Sequence, residues 1–167
     1  MIRPLAVFER DAVKNFYLTL SQDDRRMRFC ATASDETVAK YVDRMDLTRA
    51  TIFGAFDEGA RLIGLAELLY GARESDMAFA VRADMRGRKI GTRLIERLLV
   101  HARLCGIRVV TVMFMSENTP MRRLAVRAGM HVETDGSECR ARRTLDLPAL
   151  ARQTSSMAPR FQYESTT

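Results

Sequence analysis

The sequence is poor in the residues that build disulfide frameworks, metal sites and base-stacking surfaces. Its three cysteines, Cys30, Cys105 and Cys139, are odd in number and widely spaced, and only two histidines accompany them. This pattern predicts reduced, structural thiols and no bound metal. Tryptophan is absent and aromatic residues make up 7% of the chain, which disfavours a surface on which nucleic-acid bases stack.

Long apolar stretches are also missing. No segment approaches the roughly 18 uninterrupted apolar residues that a membrane-spanning helix requires. Residues 1–10 become charged too early for a signal peptide. We therefore expect a cytoplasmic protein without a membrane partner.

The positive charge of the chain is carried almost entirely by arginine. The net charge is +6, and lysine occurs only at positions 14, 40 and 89. A basic surface favours anionic partners, such as nucleic acid or a phosphate-bearing cofactor. An arginine bias this uniform is equally compatible with a surface that binds nothing in particular.

The spacing of apolar residues predicts one α+β domain over residues 1–147, followed by a flexible tail at 148–167 that lacks periodicity. Short loops favour a mixed, mainly antiparallel central sheet flanked by helices. The predicted helices cover residues 11–20, a segment capped by Ser34 that runs to Met45, the segment from Ile90 to a left-handed cap at Gly106, and residues 121–128. The predicted strands cover residues 2–5, 50–57, 61–70, 76–82, 107–115, 131–134 and 138–147. Residues 21–29 are polar and predict a turn or an irregular connection.

The most informative segment is the basic, glycine-containing turn Arg86–Thr92, which lies between a predicted strand and a predicted helix. Such a turn gathers unpaired backbone N–H groups at the positive end of the helix, which suits phosphate. On its own, the turn is equally compatible with an ordinary helix entry whose charges face solvent.

With these elements in order, the chain resembles the GCN5-related N-acetyltransferase (GNAT) superfamily over residues 2–147. The family's pyrophosphate-binding pattern is Gln/Arg-x-x-Gly-x-Gly/Ala, and the run from Arg86 to Gly91 matches it except at the fourth position, where Lys89 replaces glycine. The segments 20–29 and 118–125 look most like the GNAT domains of bacterial protein-lysine acetyltransferases. We expect Lys89 to allow phosphate binding if its φ is negative.

The resemblance implies a site for acyl-CoA, most simply acetyl-CoA, in a splay between the strands at 76–81 and 107–115. It implies that one strand offers its backbone to the pantetheine arm, that the basic turn holds the pyrophosphate and that an asparagine contacts the cofactor. The residues concerned are Phe79, Val81, Arg86, Gly87, Arg88, Lys89, Ile90, Gly91, Thr92 and Asn118. No metal is implied.

For the chemistry, a carboxylate in a partly desolvated cleft can take a proton from the attacking amine. Asp76 is the first candidate, because it matches an acidic position of the family. Glu67, amid apolar strand residues, is the second, with an ion pair to a neighbouring arginine as the alternative. Glu74 is a third. The position where many GNAT enzymes carry a tyrosine acid is Ala125, so solvent or Tyr70 would protonate the thiolate.

The predicted function is transfer of an acetyl group, by direct attack, to the primary amine of a small molecule, a protein lysine or a protein N-terminus. The acceptor is expected to approach between the N-terminal helices and the final hairpin. Two alternatives stay open at this stage. One is a non-catalytic acyl-CoA sensor, which Lys89 and Ala125 would favour. The other is a nucleic-acid binder that uses the arginines at 122–123 and 140–143. Dimers are common in such folds, and the sequence neither requires nor excludes a homodimer.

Overall fold

The structure, a computed structural model, describes residues 1–147; the predicted tail lies outside these residues. It contains five α-helices and seven strands in the described range. The helices are α1 (Arg10–Leu18), α2 (Gln22–Phe29), α3 (Asp35–Arg44), α4 (Ile90–Leu104) and α5 (Thr119–Arg127). The strands are β1 (Ile2–Pro4), β2 (Ala50–Phe56), β3 (Leu62–Leu69), β4 (Ser75–Val81), β5 (Val109–Met115), β6 (His131–Asp135) and β7 (Glu138–Thr144).

The strands form one sheet in the order β1-β2-β3-β4-β5-β7-β6. All neighbouring strands are antiparallel except β4 and β5, which the α4 crossover makes parallel. Their parallel pairing is limited to two steps, Ser75 with Val110 and Asp76 with Thr111. The mixed, mainly antiparallel α+β class and the splay between these strands are therefore confirmed.

Each face of the sheet has its own hydrophobic core. On one face, α4 and α5 pack against the central strands, and α4 contributes Leu94, Leu98 and Ala102, all with 0% exposure. On the other face, α1 and α3 pack on β2 and β3 through residues such as Phe16, Val38 and Leu65. Helix α2 lies across β4 and β5 on this second face. The sheet therefore separates the face that carries α4 and α5 from the face that carries α1, α2 and α3.

Helix α2 corrects the prediction of an irregular connection at residues 21–29. Ser21 caps it by accepting a hydrogen bond from the backbone N–H of Asp24 at 3.1 Å, and acidic residues in the first turn and basic ones in the last complement the helix dipole. The inward positions are held by arginines: Arg25 is 4% exposed, and the side chain of Arg28 is 8% exposed. Because buried arginines replace apolar residues there, the hydrophobic period is invisible in the sequence.

Two further details concern strand β5 and the thiols. Strand β5 is buried on its α4 face, where Val110, Val112 and Phe114 point, but Met113 on the opposite face is 47% exposed. The three cysteines are free, and Cys139 is buried. Within residues 1–147, no helix is both long and apolar enough to cross a membrane.

Candidate active site

The turn between β4 and α4 keeps the conformation of a glycine-rich loop. Gly87 has φ +75° and Lys89 has φ +59°, so both lie in the left-handed region. Lys89 therefore lacks the negative φ on which the sequence-based expectation of phosphate binding depends. Lysine instead adopts the backbone shape that glycine would take there, at a cost of about 1–2 kcal/mol. The turn keeps its path even though its pattern lacks one glycine.

The turn leaves a run of backbone donors unused. Within the described residues, the N–H groups from Gly87 to Thr92 have no hydrogen-bond partner, and the first intrahelical bond of α4 runs from the Arg93 N–H to the Lys89 carbonyl at 3.0 Å. The first turn of α4 carries no acidic residue. Together these features make the helix entry a strong site for an anion.

The charged side chains around this entry divide into paired and unpaired groups. Arg86 forms an ion pair with Asp24 of α2, and Arg82 forms one with Asp84 at 2.9 Å. Among residues 1–147, no acidic side chain pairs with Arg88 or Lys89. Two cations therefore remain free beside the unused N–H groups.

A small cavity opens where β4 and β5 separate. It is lined by residues from both faces of the sheet, since the strands no longer touch there: Met27 and Arg28 of α2, Ala78 and Phe79 of β4, Val112, Met113 and Phe114 of β5, and Asn118 and Met121 at α5. The lining is apolar apart from Arg28 and Asn118. Such a cleft between parting strands accommodates a narrow, extended chain.

Asn118 caps helix α5 and lines this cavity. Its side-chain oxygen accepts a hydrogen bond from the backbone N–H of Met121 at 3.1 Å. Its side-chain NH₂ has no partner in the described part of the chain. The residue can therefore act as a helix cap and donate to a ligand at the same time. Phe79 and Val81 turn their side chains toward the α4 core.

Asp76 lies at the last paired step between β4 and β5, on the α2 face of the sheet. It is exposed, and its carboxylate accepts a hydrogen bond from the hydroxyl of Thr111. It is outside the cavity lining but two residues before Ala78 on the same face of β4. Its remaining lone pairs have no partner among the described residues, so it is free to accept a proton.

Glu67 is completely buried and fully engaged. It accepts hydrogen bonds from the hydroxyl of Tyr17, from the hydroxyl of Tyr41 at 2.6 Å and from Nη2 of Arg28 at 2.7 Å. The ion-pair alternative considered for Glu67 is thus the arrangement found. Three donors leave this carboxylate little capacity to take a proton from a substrate.

The two other residues considered for catalysis also have structural partners. Glu74 accepts hydrogen bonds from Arg142 at 2.9 Å and from Arg140 at 2.5 Å, and the bond from Arg142 lowers the pKa of Glu74. Tyr70 lies on the α4 face, bonded to Thr51 at 2.5 Å and His101 at 3.1 Å, and is absent from the cavity lining. Tyr70 therefore does not reach the cleft.

Ala125, the position of the missing tyrosine, is fully buried on the inner side of α5. No phenol stands at this place. The residue that sequence reasoning missed is Arg28, the charged side chain of the cavity lining. The one signal for it was the Ser21 cap followed by Asp23 and Asp24, which marks a helix start.

Comparison with known proteins agrees with this geometry. Residues 15–130 match the model of the acetyltransferase (GNAT) family. The GNAT domain of S. lividans PAT, a protein acetyltransferase, is 23% identical with a TM-score of 0.72, covering 86% of this chain and 89% of that one. This likeness confirms the expected resemblance to such domains.

Two further solved structures share the fold at lower identity. Spermidine N-acetyltransferase from Vibrio cholerae, in complex with CoA and spermine, is 17% identical with a TM-score of 0.66, covering 86% of this chain and 94% of that one. Ribosomal-protein-alanine N-acetyltransferase from Brucella melitensis is 16% identical with a TM-score of 0.67, covering 87% and 99%. Their acceptors differ, so the shared fold does not identify an acceptor.

Proposed function

Because the chain belongs to the acetyltransferase (GNAT) family, we propose that it is an N-acetyltransferase that transfers the acetyl group of acetyl-CoA to a primary amine. The acceptor is a small molecule, a protein lysine or a protein N-terminus. The observation that carries the proposal is the run of unpartnered N–H groups from Gly87 to Thr92, beside the opening between β4 and β5.

The residues present fit coenzyme A. The free N–H groups and the unpaired Arg88 and Lys89 would hold the pyrophosphate, since both supply donors to an anion. Among residues 1–147, no strand pairs with the β5 side of β4 near Phe79 and Val81, so the backbone there would bond the pantetheine amides. The free NH₂ of Asn118 adds a donor at the mouth of the cleft.

Bound acetyl-CoA supplies a thioester whose carbonyl carbon accepts the amine nitrogen. Asp76 is the base of this proposal, because its carboxylate is exposed and holds only the Thr111 bond, whereas Glu67 holds three. It removes the amine proton directly or through one water molecule. With no phenol at Ala125, water protonates the departing thiolate, a tolerable leaving group with a pKa of about 8.5.

The acceptor amine would reach Asp76 from the α2 face, between the N-terminal helices and the β6–β7 hairpin. Support for an amine acceptor comes from the fold neighbours, one of which was solved with CoA and spermine. The exposed side of β5 around Met113 would form the floor of this approach. Homodimer formation and a cytoplasmic location stay predictions.

A nucleic-acid role has less support. Four of the five arginines considered for phosphate contacts have partners within residues 1–147: Arg122 donates to Cys139 and Thr134, Arg140 and Arg142 pair with Glu74, and Arg143 donates to the carbonyl of Ala128. Each of these four side chains already donates from one nitrogen to a partner within the protein, which reduces the gain from phosphate contacts.

Calorimetry with acetyl-CoA tests the proposal, with the wild type beside Gly91→Glu and Gly91→Gln. A Cβ added at position 91 would lie 3.5 Å from the side chain of Leu124, an ordinary contact distance, so both variants should fold. We expect binding by the wild type, weaker binding by Gly91→Gln and none by Gly91→Glu, because the carboxylate repels phosphate. Absence of wild-type binding would refute the enzyme proposal. Binding without turnover in an amine screen would support the sensor alternative.

A further inference from the structure

A buried arginine stands beside the cleft without an assigned role. The side chain of Arg28 is 8% exposed and that of its partner Glu67 is 0% exposed. The guanidinium carbon lies 4.8 Å from the ring centre of Phe29, 5.3 Å from that of Tyr17 and 5.5 Å from that of Tyr41. Three aromatic rings and one carboxylate therefore fix the position of this charge.

The hydrogen bonds of the guanidinium leave one nitrogen unused. Nε donates to the hydroxyl of Tyr17 at 3.1 Å, and Nη2 donates to Tyr41 at 3.1 Å and to Glu67 at 2.7 Å. Nη1 has no partner within residues 1–147. Nη1 keeps some access to solvent, so this donor is free to bond a ligand atom.

The unused donor belongs to a side chain that lines the cavity between the separating strands. Arg28 borders it together with Ala78 of β4 and Met113 of β5. The other polar residue of the lining, Asn118, sits at the α5 end. Near the paired end of the strands, where Asp76 lies, Arg28 is thus the charged donor available to a group in the cavity.

We propose that Arg28 is a catalytic residue whose Nη1 donates a hydrogen bond to the carbonyl oxygen of the acyl thioester. This inference rests on the proposed function. The amine nitrogen forms a bond to the carbonyl carbon while the C=O electron pair moves to oxygen, where Nη1 stabilises the charge. As the pair returns, the C–S bond breaks and sulfur leaves as thiolate. The amine proton goes to Asp76, and water protonates the thiolate.

The network behind Arg28 suits this role. Donors held in place before reaction, in a site shielded from water, stabilise developing charge without reorganisation. Tyr17, Tyr41 and Glu67 hold the guanidinium through Nε and Nη2 and leave Nη1 free, and the carboxylate of Glu67 balances its charge. Glu67 is accordingly a positioning residue for Arg28.

Isotope-edited infrared spectroscopy of bound acetyl-CoA, labelled with ¹³C at the carbonyl, tests the inference. In the wild type, the bond from Nη1 should shift the carbonyl stretch to lower frequency than in free acetyl-CoA. Arg28→Lys keeps a charge near Glu67 but lacks Nη1, so most of the shift should vanish. The double variant Arg28→Gln/Glu67→Gln, which leaves no unpaired buried charge, should lose it too. Arg26→Gln on the same helix should keep it.

Bare CoA binding, measured by calorimetry, shows that each variant is folded and separates the two proposals. If the wild type fails to bind CoA, the proposed function fails. If the variants bind acetyl-CoA and show the wild-type carbonyl frequency, the role of Arg28 is overturned while the proposed function stands. Loss of the shift with CoA affinity within about twofold of the wild type supports the inference.

Discussion

Thr111 of β5 donates its hydroxyl hydrogen to the carboxylate of Asp76 at the start of β4. The two residues face each other in the last paired step of the two parallel strands, after which the strands separate. Thr111 is fully buried, whereas Asp76 is exposed. The bond therefore orients an accessible carboxylate at the closed end of the cleft.

Asp76→Asn should lower kcat by roughly 10²–10⁴-fold with little change in the Kd for acetyl-CoA, because the amide cannot accept a proton from the amine. The measurement is steady-state kinetics with an acceptor from the amine screen, over a range of pH. Thr111→Val, which removes only the orienting bond, should have a smaller effect. An unchanged kcat in Asp76→Asn would rule out this residue as the base.

Asp24→Asn should raise the affinity for CoA by roughly two- to fivefold at low salt, the range of an exposed ion pair. Asp24 places a negative charge beside the basic turn and occupies Arg86, so its neutralisation frees that cation. Calorimetry at increasing salt should show the gain shrinking, since ions screen the interaction. The matched control is Asp23→Asn on the same helix, because Asp23 pairs with Arg26 and not with Arg86. Equal or weaker binding by Asp24→Asn would contradict the prediction.

Lys89→Gly should raise the free energy of unfolding by roughly 0.5–1 kcal/mol, because glycine adopts φ +59° without strain but loses more entropy on folding. Gly87→Ala, at φ +75°, should lower it by about 1 kcal/mol, although no atom lies within 4 Å of the added carbon. Urea unfolding of both variants measures the two changes. A destabilised Lys89→Gly would show that the lysine side chain stabilises the turn.

Tyr41→Phe should flatten the pH dependence of stability above pH 10. Burial raises the pKa of Tyr41 from 10 to about 12, so between these values the folded protein keeps a proton that the unfolded chain has lost. Stability contributed by the neutral phenol is complete below pH 10 and is lost as pH rises toward 12. Urea unfolding from pH 8 to 12 measures this pH dependence. At pH 8 the free energy of unfolding of the variant should be about 1 kcal/mol lower than that of the wild type, because the bond to Glu67 is lost. Parallel curves for variant and wild type would contradict the assignment, since a slope from Tyr17 remains in both.

The order of the strands and of the helices other than α2, the basic turn and the family resemblance could all be read from the sequence. These features depend on spacing along the chain: apolar residues that recur at strand or helix periods, glycines such as Gly106 and Gly136 that adopt positive φ at their predicted turns, and a motif of six consecutive residues. Local chemistry determines them. The same reasoning placed Asp76 at the start of its strand.

Tertiary packing decided the rest. Helix α2 was missed because its inward positions hold Arg25 and Arg28, whose burial depends on partners elsewhere in the chain. Glu67 became an ion-pair partner because folding brings it to Arg28, 39 residues away. The left-handed backbone at Lys89 follows from the path between β4 and α4, which overrides the preference of the residue. A buried charge is stable only beside a partner of opposite charge, and partners that are far apart in the sequence come together only in the folded chain.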